Sequence, residues 1–208
     1  MYIDGENMSS IVPSVDGARE EPLMADLADY LRQLDGVDAD TANLLNGLTE
    51  VQFHWSPESS RWSIAQCLVH LVIIGRKYLP ILDETIENAR ADRLLSRGPF
   101  RYGFIERWFV RSTEPPPGIR LRTPLAARPP DDQPLPGVIA NFLTMQDDIR
   151  KRIRAANGVD LARAKVPSPF IRSLKMALGP CFEFLAAHER RHLWQAWQVR
   201  NDKRFPAE

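Results

Sequence analysis

Apolar residues recur at helical spacing over most of the chain. From Pro22 onward, Leu23, Leu27, Tyr30, Leu31 and Leu34 fall on one face, and Leu44, Leu45, Leu48 and Val51 resume the pattern after an interruption near Gly36. Residues 53–61, with Ser56-Pro57, read as a turn. The clearest helix start comes next: Ser63 as N-cap, Gln66 as its capping-box partner, and Trp62 placed to staple onto Cys67. This second helix is predicted to reach about residue 91, bent at Pro80, where the missing N–H and the ring disrupt one turn.

Residues 100–112 (Phe100, Phe104, Ile105, Trp108, Phe109) fit a short amphipathic helix. Eight prolines between Thr113 and Gly137 exclude a helix or central strand there and point to an extended crossover on the surface. A further helix is predicted over 138–157, with Ile139, Phe142, Gln146, Ile149 and Ile153 on one stripe and Gly158 as its stop. Pro167 and Pro169 punctuate a loop, and the last helix should run over 180–200. The expected architecture is all-α: a four-helix bundle with a long Pro-rich crossover between its second and third helices. Residues 1–21 are expected to be a flexible tail, 22–200 the bundle domain and 201–208 a second tail.

Composition narrows the class. With 208 residues, 44% hydrophobic and 26% charged, the chain is long enough for one well-buried core. A formal net charge of zero argues against a nucleic-acid binder. The best apolar run, 68–75, is interrupted by His70, and the first residues lack the pattern of a signal peptide, so no membrane association is expected. Two cysteines make no disulfide framework, and the default compartment is a reducing cytoplasm. Charge is uneven: residues 1–60 hold twelve acids and two arginines, whereas 90–128 hold nine arginines and three acids. That arginine-rich segment either balances the acidic helix or receives an anionic ligand.

Helical phase brings out the candidate chemistry. At about 100° per residue, His192 lies about 40° from His188, and Cys181, Phe184 and Gln195 share the same inward stripe. On the second helix His70 is central in a stripe with Gln66, Ile74, Lys77 and Ile81. Three imidazoles aimed into one core are costly unless their nitrogens are satisfied, and a divalent metal satisfies them. The donor set His70, His188 and His192 suits zinc or nickel, and also iron; three ligands leave a position open for water or substrate. Gln66, Lys77 and Gln195 are the catalytic candidates beside it, as groups that orient water or substrate.

The string His188-Glu189-Arg190-Arg191-His192 also matches the metalloprotease helix, in which the glutamate is the general base. Little chain follows to supply its usual third ligand, and Glu189 lies on the flank of the histidine face. A di-iron carboxylate site is excluded, since neither His70 nor His188 has a glutamate three residues before it. Cys67 and Cys181 read as small buried hydrophobes, His54 as a loop residue, and Tyr78 as core.

Two segments together resemble the DinB-like family. These are Trp62-Ser63-Ile64-Ala65-Gln66 leading to His70-Leu71, preceded by Leu48-Thr49 and Trp55-Ser56-Pro57, and the closing His188-x-x-x-His192 with Gln195. The resemblance spans about residues 22–200 and implies a four-helix bundle with one metal on three histidines, here His70, His188 and His192. It further implies chemistry on a small molecule with a low-molecular-weight thiol, by S-transfer or thiol-assisted isomerisation. A metal-dependent hydrolase of a small amide or ester and a non-catalytic ligand- or partner-binding bundle are the alternatives. Phe182, Leu193, Trp194 and Trp197 make the last helix apolar on its far side too, which calls for cover by the crossover over 101–136 or, as the favoured expectation, by a homodimer.

Overall fold

The computed structural model describes residues 21–116, 123–130 and 134–207. Residues 1–20 of the expected tail, 117–122 and 131–133 of the crossover, and Glu208 lie outside the described residues. The described chain forms α1 (Ala25–Leu45), α2 (Glu50–His54), α3 (Ile64–Ala91), α4 (Phe104–Thr113), α5 (Leu135–Ala155) and α6 (Leu178–Arg200). A 3-10 turn at Leu125–Ala127 lies in the crossover, and strands β1 (Lys165–Pro167) and β2 (Lys175–Ala177) pair antiparallel with Val166 opposite Met176.

The four-helix bundle expected from the sequence is therefore corrected: the fold has six α-helices and a small β-hairpin among the described residues. The missing elements are short for a physical reason. Helix α2 is barely more than one turn, held by a capping box between Thr49 and Gln52, and each strand has three residues, so neither shows a full hydrophobic period. The stretch around Pro167 and Pro169 that reads as loop is the hairpin, because proline at a strand end leaves the ladder intact. No break occurs at Gly36, and α1 runs through it.

Helix α3 starts as its sequence dictates. Ser63 Oγ accepts from the Gln66 backbone N–H at 3.1 Å, while Gln66 Oε1 accepts from the Ser63 N–H at 2.9 Å. Pro80 lies inside the helix on its exposed side. Among the described residues α3 alone is long and apolar enough to cross a bilayer, and 56% of its apolar stretch is buried within the fold. It packs on α5 and α6, and α1 packs on α6 and α5. The core runs through Leu27, Leu34, Leu68, Leu71, Phe142, Met145 and Phe182. Gly75 lets α3 approach α5, since a Cβ there would collide with the Met145 side chain. Gly158, at φ 82°, turns the chain after α5, a conformation that glycine adopts without steric cost.

The far side of α6 is covered within the chain at Phe182, Leu193 and Trp197, whereas Trp194 is 37% exposed. Phe182 and Leu193 are buried, Tyr30 of α1 lies against Phe182 at 5.9 Å, and Trp197 Nε1 donates to Asp40 of α1 at 2.9 Å. Residues after α6 are tied down too: Phe205 packs edge-on against Trp55, and the Pro206 carbonyl accepts from Gln52 Nε2.

Candidate metal centre

Helix α3 supplies His70 and α6 supplies His188 and His192, one turn apart. One nitrogen from each ring lies within 4.8 Å of the others. Ring centroids are 5.2 Å apart for His70–His188, 4.5 Å for His70–His192 and 4.6 Å for His188–His192. His70 and His192 are buried, and His188 borders a cavity of about 860 Å³. All three are held neutral. Burial, then the closeness of His70 and the positive Arg191, pushes His188 down to about 3; burial also lowers His70 and takes His192 well below its ordinary value. Neutral imidazole is the form that ligates a metal.

The rings are also oriented. His70 Nδ1 lies 2.7 Å from the Ala127 carbonyl oxygen. A carbonyl only accepts, so this nitrogen carries the proton and Nε2 keeps its lone pair, the usual outer-shell arrangement of a ligating histidine. His192 Nδ1 is buried with no hydrogen-bond partner. Such an orphaned nitrogen is costly in an apolar interior, and a cation at the centre of the three rings would relieve it. The donor set and its surroundings fit a single divalent ion.

The crossover is thus part of the site, through a backbone carbonyl as well as through the arginine-rich segment that the sequence offered for an anionic ligand. Ala127 anchors His70, while Thr123, Pro124, Arg128 and Pro129 form one wall of the cavity. Trp62, expected to staple the helix start, lies over the imidazoles, 4.9 Å from His70 and stacked at 5.6 Å on His192. The hairpin contributes Ser168, Phe170, Ile171, Leu174 and Met176, and α4 contributes Phe109, stacked 5.3 Å from Phe184.

The other candidates separate. Gln66 and Gln195 line the cavity, and Gln195 hydrogen-bonds His192. Gln66 is also committed to the capping box. Lys77 is half-buried, and the cavity wall passes through Ile74 and Tyr78 without it. Tyr78 is buried as expected but borders the cavity, hydrogen-bonded to Ser168. Cys67 and Cys181 are wholly buried, and burial pushes both thiols up, away from reactivity. His54 closes α2 rather than lying in a loop, with Nε2 at 3.1 Å from Glu50 Oε1.

Glu189 points into the core, not the cavity. Its carboxylate accepts from Gln146 Nε2 of α5 at 3.1 Å, and burial drives its pKa up to about 8. Of the arginine-rich segment, Arg90 bonds the Ala155 and Asn157 carbonyls and Arg97 pairs with Glu21, whereas Arg128 borders the cavity. The acids of α1 are met chiefly from α5, where Arg150 pairs with Asp35 and Asp38. Arg191, unremarked in the sequence although it stands inside the His188–His192 string, also faces the cavity.

A family model described as the DinB superfamily matches residues 33–196. The chain belongs to the DinB superfamily. The match spans both the α3 histidine and the α6 pair, so the likeness covers the site as well as the helices. No curated protein and no solved structure shows significant similarity to the chain.

Proposed function

We propose that this DinB superfamily member is a metal-dependent enzyme that uses a low-molecular-weight thiol to transform a small electrophile, by S-transfer or thiol-assisted isomerisation. The observation that carries the metal-dependent part is the trio of neutral imidazoles at the floor of an 860 Å³ cavity, a volume suited to small molecules. A divalent ion held by His70, His188 and His192 would supply Lewis acidity and favour the deprotonated form of a nucleophile beside it. The chain's own residues prepare that place. Ala127 fixes the His70 tautomer, Trp62 lies over His70 and His192, and Phe184, stacked on Phe109, lies 5.6 Å from His188. Gln195, bonded to His192, sets the tilt of that ring.

The preference for a thiol over water rests on proton traffic. A thiol has a pKa of about 8.5, close enough to neutrality to lose its proton without a dedicated base. Water needs more help, and the one acid in the metalloprotease-like string, Glu189, is turned into the core. In S-transfer the thiol sulfur bonds to carbon, the leaving group departs with its electron pair, and the thiol proton passes to solvent; in isomerisation the thiolate adds to a conjugated double bond, the carbon–carbon bond rotates, and the same C–S bond breaks to return the thiolate.

The test incubates zinc- or nickel-loaded protein with several cellular thiols and a model electrophile, with His188→Ala alongside. The reading expects a thiol-dependent rate that the variant lacks. Metal-dependent hydrolysis of amides or esters without any thiol would replace it with the hydrolase, and no reaction of either kind with metal bound would leave a non-catalytic binding protein.

A further inference from the structure

Helix α4 packs on α6 through one side and leaves the opposite side bare. Val110 and Thr113 are buried, and Phe109 turns to the cavity. On the outer side Phe104 is 75%, Ile105 78% and Trp108 51% exposed. At about 100° per residue, Trp108 lies about 40° and Ile105 about 100° from Phe104, so the three share one arc. Arg111 and Arg107 continue it the other way, at about 20° and 60° from Phe104, and Arg101 precedes the helix. These arginines are exposed, and none has an ion pair among the described residues. The one acid of α4, Glu106, is turned away from the arc: it accepts from the Ala177 N–H at 2.8 Å and lies 3.4 Å from Lys165 Nζ. The hairpin tip, which lines the same cavity as Phe109, repeats the composition, with exposed Ile171 and Leu174 beside exposed Arg172 and Lys175.

We propose that the outer face of α4 docks on the surface of an anionic phospholipid bilayer, with Phe104, Ile105 and Trp108 entering the headgroup boundary and Arg107 and Arg111 meeting the lipid phosphates. Exposed apolar side chains grouped on one helix face mark a surface that something covers, and the charge beside them selects the occupant. A bilayer supplies both halves of the match, hydrocarbon for the rings and negative charge for the guanidinium groups. A second copy supplies only one. A two-fold contact through this face would set Arg107 and Arg111 against their own counterparts, with no acid on the arc to answer them. A helix that lies on a surface needs neither a spanning apolar run nor a leader pattern, so those two sequence criteria do not detect it. Phe109, one residue beyond Trp108, lines the cavity, so docking would bring the cavity beside the bilayer. The inference requires neither the metal nor the thiol.

Flotation of the full chain with lipid vesicles is the test. Vesicles of phosphatidylcholine with about one-third phosphatidylglycerol should bind the protein at least about tenfold more tightly than vesicles of phosphatidylcholine alone, and salt should weaken that preference. Phe104→Ser combined with Trp108→Ser should lower affinity for the anionic vesicles about tenfold or more. Arg107→Gln combined with Arg111→Gln should bring the two kinds of vesicle within about twofold of each other. Val51→Ser, at an apolar side chain 72% exposed on α2, should bind like the wild type. All the substituted side chains are exposed, and circular dichroism confirms the fold of each variant. No binding to anionic vesicles, equal binding to both kinds, binding unchanged by either double substitution, or an equal loss in Val51→Ser would overturn the proposal. Absence of vesicle binding together with a dimer that the Phe104, Trp108 variant loses would give the face to a second copy instead. The vesicle assay is read without metal or thiol, so it and the thiol assay fail independently.

Discussion

His188 and Glu189 are neighbours in sequence with opposite surroundings. His188 faces a cavity with His70 and His192, where one histidine nitrogen is left without a partner. Glu189 faces α5 and is closed off by Gln146, itself wholly buried. Both are polar groups taken from water at a helix–helix contact, and both have strongly shifted pKa values caused first by burial. Perturbation alone therefore does not separate a functional group from a structural one. Access to a cavity does, since an unpartnered buried atom occurs on each side, His192 Nδ1 on the one and Gln146 Oε1 on the other. A string match to H-E-x-x-H treats the three residues as one device, whereas the helix divides them between two faces.

The largest expected effect tests this division directly. His188→Ala or His192→Ala should weaken divalent-metal binding by at least about a hundredfold, whereas Glu189→Gln should change it by less than about threefold. Isothermal titration with zinc measures all three, and a hundredfold loss in Glu189→Gln would place the carboxylate in the site after all. For stability the order reverses. Glu189→Ala opens a void and strands Gln146, at a cost of about 2–4 kcal/mol, whereas Glu189→Gln keeps the shape and a hydrogen-bonding partner and should be nearly neutral. Urea unfolding of the metal-free protein reads this, and equal loss in the two variants would break the structural assignment.

The contact of α3 with α5 lies behind both sites. Gly75→Val pushes against the Met145 side chain, whose flexibility absorbs part of the overlap, and should destabilise by about 1–3 kcal/mol. An unchanged urea midpoint would mean that α5 is not held so closely. A smaller effect, remote from the histidines, concerns Glu106 at the start of α4. Its side chain accepts from the Ala177 N–H at 2.8 Å and the Gly103 N–H at 3.2 Å. Burial alone would raise its pKa, but these bonds and Lys165 outweigh burial and hold it below the ordinary 4.5. A depressed acid stabilises the fold above its unfolded pKa and loses that contribution as pH falls. The wild type should thus lead Glu106→Gln by about 1 kcal/mol near neutrality, with the gap narrowing below pH about 4.5. A gap independent of pH would show that the ionised form is not what matters.

Much of this was readable from the chain, for identifiable reasons. The capping box at Ser63 and Gln66, the long helices and the convergence of His70, His188 and His192 all follow from local chemistry and helical period. The failures are of another kind. Helix α2 and the hairpin are shorter than one hydrophobic period, so the four-helix bundle was the wrong architecture. Ala127 acts through its carbonyl, which every residue has, so no side-chain pattern announces it. Trp62 has the composition of a staple, and only tertiary packing sets it on His192. Arg191 was hidden by a motif that drew attention to its neighbours.

The central claim, that three histidines from α3 and α6 hold one ion, is most directly tested by elemental analysis of protein expressed without a histidine tag. Wild type and His54→Ala should each carry close to one divalent ion per chain, and the variant with His70, His188 and His192 all changed to alanine should carry none. Equal metal content in wild type and that triple variant would contradict the account.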